Sequence, residues 1–241
     1  MKRFFLILFS FISVGAFAQD IPAKDANAKD RTLTGSFTAI TVKDGIDVYL
    51  VQGQTESVAV TAADEKYMSR FKTEVVNGTL TIYYDDKGIN FAFNEKRKLT
   101  AWVTFRNLNK LTISGGADVK AGGTLDLDRM DMKVTSGSHF AGKVNAKDLA
   151  IEQNSGSGIT MSGHADKIKV EGSSGSIFKG YDLAVDYCEA KATSGAGVHL
   201  TINKELNAKA TSGGGIKYKG EAMIKDLSVS SGGSVKKEKS K

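Results

Sequence analysis

From Phe37 onward the chain alternates apolar and polar residues with a period of two. Phe37, Ile40 and Val42 are followed by Ile46, Val48 and Leu50, and then by Val58 and Val60. Such alternation predicts strands with one buried face. The segment Asp64 to Phe71 breaks the pattern; Asp64 can cap a short helix that carries Tyr67, Met68 and Phe71 on one side. The pair Asn77-Gly78, set between Phe71–Val76 and Thr79–Tyr84, predicts a tight hairpin. Asp85 to Lys98 reads as a polar connection with Phe91 and Phe93 embedded in it. Leu99 to Phe105 is a further strand, and Leu108 to Ile113 leads out of the first half. Trp102 is expected as a buried anchor at the junction of the two halves, because large aromatics usually supply core area; the alternative is an exposed sugar-stacking platform.

The second half repeats a phrase. It appears as Ser114-Gly115-Gly116, Ser136-Gly137-Ser138, Ser155-Gly156-Ser157, Ser174-Gly175-Ser176, Ser194-Gly195-Ala196, Ser212-Gly213-Gly214 and Ser231-Gly232-Gly233, with intervals of 22, 19, 19, 20, 18 and 19 residues between the serines. A nearly constant period of about 20 predicts a solenoid whose coils bury their apolar faces only by stacking. Four places after the serine stand Phe140, Ile159, Phe178, Val198, Ile216 and Val235; the longer first repeat puts Val119 at five. Six and four places before it stand Met130/Met132, Leu149/Ile151, Ile168/Val170, Cys188/Ala190 and Leu206/Ala208, while Leu227 and Val229 are shifted two places closer to their serine. Two short inward-facing strands per coil are therefore expected, with glycine admitting the left-handed bend and the small serine stacking in a column at each corner. Coils rising by roughly 4.8 Å each would make this half a rod on the order of 30 Å long. Asp44-Gly45-Ile46-Asp47-Val48 echoes Gly115-Gly116-Ala117-Asp118-Val119, which predicts an extra coil contributed by the first half.

The ends change the picture next. Lys2 and Arg3, the apolar run Phe4–Val14 and the small residues Ala16 and Ala18 have the form of a secretory signal over residues 1–18, cleaved between Ala18 and Gln19. Its apolar run is too short to span a bilayer, and no later stretch is apolar enough. Residues 19–36 lack periodicity and read as a flexible lead-in; 37–113 and 114–235 form the strand-and-hairpin and Ser-Gly parts of one domain; 236–241 read as a frayed basic tail. The formal charge of +6 falls to +4 without Lys2 and Arg3. That charge is spread along the chain and lacks the clustered basic face of a nucleic-acid binder. A lone cysteine, Cys188, means no internal disulfide, and its place in the repeat predicts a buried apolar role.

The runs Val42–Leu50, Val75–Tyr84 and Lys87-Gly-Ile-Asn90, together with the recurring Ser-Gly-Gly-x-x-Val, resemble the head GIN-domain family of putative autotransporter adhesins. The resemblance extends from about Phe37 to Lys237. It implies an exported bacterial β-helical domain, and it carries over no catalytic residues. No outer-membrane barrel segment is recognisable beside the head.

Candidate chemistry is sparse. His139, His164 and His199 fall three, nine and five places after their serines, so they form no ladder for a metal, which needs several converging donors. The turn serines lack a Gly-x-Ser-x-Gly elbow, and nothing in the sequence supplies them with a base. Asp126, Asp128 and Asp131 alternate with Leu125, Leu127, Met130 and Met132 and so belong on the solvated face. Only Asp47 and Asp118 recur at one place on the coil, short of a calcium array. The sequence thus predicts an all-β, single-domain parallel β-helix of about seven to eight coils with an N-terminal hairpin region and one short helix. It reads as a noncatalytic binding or structural module, without cofactor, that engages a glycan or protein in the periplasm, at the cell surface or outside the cell. The alternative is a β-helix polysaccharide lyase or hydrolase. A solenoid end near Val235 exposes strand edges, so a homo-oligomer is also expected.

Overall fold

The structure, a computed structural model, describes residues 21–86 and 97–239. The signal segment with Ala18 and Gln19, the Lys87–Asn90 motif, and Phe91 and Phe93 lie outside the described residues.

The chain is a parallel β-solenoid of about seven turns. Its regular part consists of β9 (Asp118–Val134), β10 (His139–Gln153), β11 (Gly158–Gly172), β12 (Ile177–Ala192) and β13 (Gly197–Ala210), each pairing in parallel with the next. The two short strands expected per coil are one continuous bent strand, broken in register only where β-bulges turn the corner. The predicted inward columns hold. Phe140, Ile159, Phe178, Val198 and Ile216 are buried, as are Met130/Met132, Leu149/Ile151, Ile168/Val170, Cys188/Ala190 and Leu206/Ala208.

The Ser-Gly phrases are two-residue turns with both central residues left-handed. Serines 136, 155, 174, 194, 212 and 231 have φ of 49–57°, and the glycines after them 69–75°. That is the geometry of the primed turns that glycine favours. Each turn donates a backbone N–H to the next, from Gly45 to Gly115, Gly116 to Ser136, Gly137 to Ser155 and so on to Gly213 and Ser231, at 2.9–3.1 Å. The first phrase is out of step. There the left-handed pair is Gly115-Gly116, so Ser114 is not the counterpart of Ser136. Asp44-Gly45 occupies the same place one level up, and Asp47 and Val48 pair with Asp118 and Val119. The extra coil in the first half is present.

The first half visits its levels out of sequence. β2 (Ala39–Val42) and β3 (Asp47–Gln52) make one level, parallel to β8 (Lys110–Ile113) and to the start of β9. β6 (Thr79–Tyr84) and β7 (Thr100–Phe105) then stack on the other side of that level, before the chain crosses back to β8. The outermost layer is antiparallel. β5 (Phe71–Val76) closes β6 through the Asn77-Gly78 hairpin, β4 (Ser57–Thr61) closes β7, and β1 (Lys29–Arg31) closes β4. Helix α1 (Glu65–Met68), capped by Asp64 Oδ1 on the Lys66 N–H at 3.0 Å, buries Tyr67 and Met68 over this end of the interior.

Three expectations change. Residues 21–36 are not a loose lead-in: β1 satisfies the edge of β4, Arg31 donates to the carbonyls of Met68 and Phe71, and Thr34 donates to that of Val75. An edge strand facing solvent needs backbone partners and no apolar period, which is why the sequence pattern missed it. Trp102 is not a core anchor. Ala101, Val103 and Phe105 take the inward positions of β7, so the alternation turns Trp102 outward, where it lies half-buried beside Tyr49 at 5.9 Å between ring centres. Lys236 and Lys237 do not fray, since they belong to β16 (Ser234–Lys237), which pairs with β14 (Gly215–Lys219).

Candidate functional site

The bend halfway along each long strand turns outward-facing side chains into a lateral groove. Asp126, Asp128 and Arg129 come from β9, Asn145 and Lys147 from β10, and Asp166 from β11; the loop Asn107–Asn109 forms the opposite lip. The groove measures about 720 Å³. Alternation with the buried Leu125 and Leu127 is what directs Asp126 and Asp128 outward. Leu108, buried, pins the loop. Gln52 clamps the place where β3 parts from β9: its Oε1 accepts from the Asp126 N–H at 2.8 Å, and its Nε2 donates to the Asp126 and Arg106 carbonyls at 3.0 and 3.3 Å.

The acids in the groove are engaged. Asn145 Nδ2 donates to Asp126 Oδ1 at 3.1 Å, Lys147 Nζ lies 2.6 Å from Asp128 Oδ1, and His164 Nε2 lies 3.1 Å from Asp166 Oδ1. The hydrogen bond from Lys147, reinforced by its charge, holds the Asp128 carboxyl below the ordinary carboxylate range. A glycosidase acid needs the opposite, a carboxyl held protonated by an apolar or like-charged setting.

The other predicted residues lie elsewhere. Asp47 and Asp118 stand side by side on adjacent strands, and His139 Nδ1 reaches Asp118 Oδ1 at 3.1 Å. Partial burial, then the Asp118 charge, pushes the Asp47 carboxyl up against the pull of Lys120. A side chain at Gly158 would meet the His139 ring at 2.7 Å, which accounts for glycine there. His199 stacks on Tyr181 at 5.2 Å between ring centres; burial and the Tyr181 hydrogen bond to Glu238 at 2.9 Å raise that phenol to about 12. Among the described residues no three His, Cys, Asp or Glu side chains are grouped to hold a metal. Burial pushes the Cys188 thiol up to about 12, which keeps it protonated near neutral pH. The hydroxyls of Ser136, Ser194 and Ser212 lie 3.3–3.5 Å from those of the preceding threonines. Ser138, Ser157 and Ser176, buried one place beyond the turn glycine, instead bond backbone groups. The outward Tyr49–Trp102 pair is roofed by the chain's own N-terminal segment: Trp102 Nε1 donates to the Pro22 carbonyl at 3.2 Å, and Ile21 rests on Gly122. The acids could be read as outward from alternation, whereas Asn107, Asn109 and Asn145 gave no linear signal.

The fold is a parallel β-solenoid sealed at one end by antiparallel strands, with side chains paired along a lateral groove. The chain belongs to the family described as "Putative auto-transporter adhesin, head GIN domain", which it matches over residues 36–222. No curated protein matches it. A solved "putative adhesin" from Bacteroides fragilis is 18% identical and superposes with a TM-score of 0.80, covering 90% of this chain and 99% of its own. One from Parabacteroides merdae is 17% identical, with a TM-score of 0.69 and coverage of 88% and 95%. A "putative lipid binding protein" from Parabacteroides distasonis is 19% identical, with a TM-score of 0.59 and coverage of 88% and 96%. At these identities the likeness is one of fold.

Proposed function

We propose that the chain is an exported, noncatalytic binding module whose lateral groove takes a hydroxyl-rich ligand, a glycan. The observation that carries this reading is the lining: amides at Asn107, Asn109 and Asn145, carboxylates at Asp126, Asp128 and Asp166, and the cations Arg129 and Lys147, all on or beside a rigid ladder. Amides and carboxylates together offer the mixed donors and acceptors that sugar hydroxyls need. Lys147 holds the Asp128 carboxyl below the ordinary carboxylate range, which favours its ionised form and supports a module over a hydrolase. Family membership supports export, and the exported protein is expected to begin at Gln19, which intact mass reads directly.

A glycan array on the chain from Gln19, followed by calorimetry on the best ligand, tests the groove. The Asp126→Ala/Asn145→Ala double variant is expected to weaken binding by at least about tenfold, since it removes two buried-on-binding hydrogen-bonding groups. Silence across the array, or unchanged affinity in the double variant, would refute the assignment. Release of reducing sugar from a bound polysaccharide would point to the enzyme instead.

A further inference from the structure

We propose that the last coil is a dimerisation surface, through which two copies meet tail to tail about a two-fold axis. The proposal rests on the end of the stack and is independent of the groove. β15 (Met223–Val229) carries Met223 at 62%, Ile224 at 40%, Leu227 at 51% and Val229 at 47% exposure, most of the large exposed apolar side chains among the described residues. These are not stray surface residues. Ile224, Leu227 and Val229 are in register with Leu206, Ala208 and Ala210, which are buried one coil below. They continue the core columns and face outward at the end of the described stack. The strand edges are open as well. β15 has β13 on one side only, and β16 has only β14, so each presents a row of backbone donors and acceptors along the outer rim.

What fits such an end must present an apolar hollow of the same cross-section, bordered by strand edges at the same spacing. The opposite end of this chain does not: it finishes in antiparallel strands whose outer edges stay open only on β1 and β5, and α1 covers its hollow. Head-to-tail stacking therefore meets no apolar hollow there. The matching surface is the same end of a second copy, which gives a closed, isologous pair in place of a fibre. Lys225 is paired with Glu205 of its own chain at 3.5 Å and Lys237 with Glu221 at 3.1 Å, so much of the rim charge is balanced within each copy. Seven residues at about 3.3 Å each span roughly 23 Å, and two walls about 10 Å apart with their side chains span a similar width. The end face is then on the order of 500 Å² per copy, or about 1,000 Å² in all, the threshold of a specific interface.

Sedimentation equilibrium and light scattering on the chain from Gln19, from about 1 to about 100 µM, the range over which a threshold-sized interface exchanges, should show a monomer–dimer equilibrium. Leu227→Lys lies at an exposed position, and far-UV circular dichroism should be unchanged in it. It should weaken the dimer by at least about tenfold. Val76→Lys, an equally exposed apolar site at the sealed end, should leave the dimer intact. A short bismaleimide should cross-link Asp226→Cys to dimer, while Cys188, buried with its thiol raised to about 12, stays silent. Monomer throughout, dimers broken by Val76→Lys but not by Leu227→Lys, or an open ladder of species would each overturn the proposal.

Discussion

The two ends of the stack finish differently. At the N-terminal end the parallel ladder stops against β4 and β5, which run antiparallel, and Tyr67, Met68 and Phe71 close the hollow. At the C-terminal end the described ladder finishes on β15 and β16, and residues that would be core one coil earlier face outward. The difference teaches that burial in this fold belongs to the stack and not to the coil: an apolar side chain at the same place on the repeat is core or surface according to what lies above it.

The largest effect expected from that contrast is between neighbours in one column. Leu206 is fully buried and Ile224, its partner on the next strand, is not. Leu206→Ala should cost about 2–5 kcal/mol, and Ile224→Ala under about 1 kcal/mol, in urea melts of dilute protein. Equal losses would mean that the end is covered within the monomer.

Backbone crowding offers a second comparison. A Cβ at Gly163 would lie 2.0 Å from the Val144 carbonyl oxygen, and one at Gly220 would lie 2.2 Å from that of Ile202, each glycine having positive φ. In the middle of the stack the clash has nowhere to go, so Gly163→Ala should cost about 3 kcal/mol or more. The last coil can lift, so Gly220→Ala should cost about 1–2 kcal/mol. Thermal melts of the two variants side by side decide whether the end yields.

The smallest effect should not distinguish the ends at all. Ser136 and Ser231 both sit at positive φ in primed turns, at 57° and 49°. Asparagine accepts that conformation better, so Ser136→Asn and Ser231→Asn should each stabilise by about 0.5 kcal/mol. If only Ser136→Asn raised the melting temperature, turn strain too would depend on the stack.

Much of this was legible in the chain. The serine period, the apolar places around it and the echo at Asp44-Gly45 carry the solenoid, because parallel stacking demands the same residue type at the same place on every coil. Trp102 was legible too: Ala101, Val103 and Phe105 already assigned it to the outer face, and the expectation of core area overrode the alternation. β1 was not, since an exposed edge strand needs only its backbone. The groove was half legible, with Asp126 and Asp128 outward by alternation.

Alone, then, the sequence determined the repeat, its inward columns and its bends, because those follow from local backbone preference and a period of two. Only the tertiary structure decided the order in which the first half's strands stack, the meeting of Asn107 and Asn109 with Asp126 and Asn145, and which end is sealed. Those depend on contacts between segments far apart in the chain, and no local pattern encodes what will lie above a strand once the coils are piled.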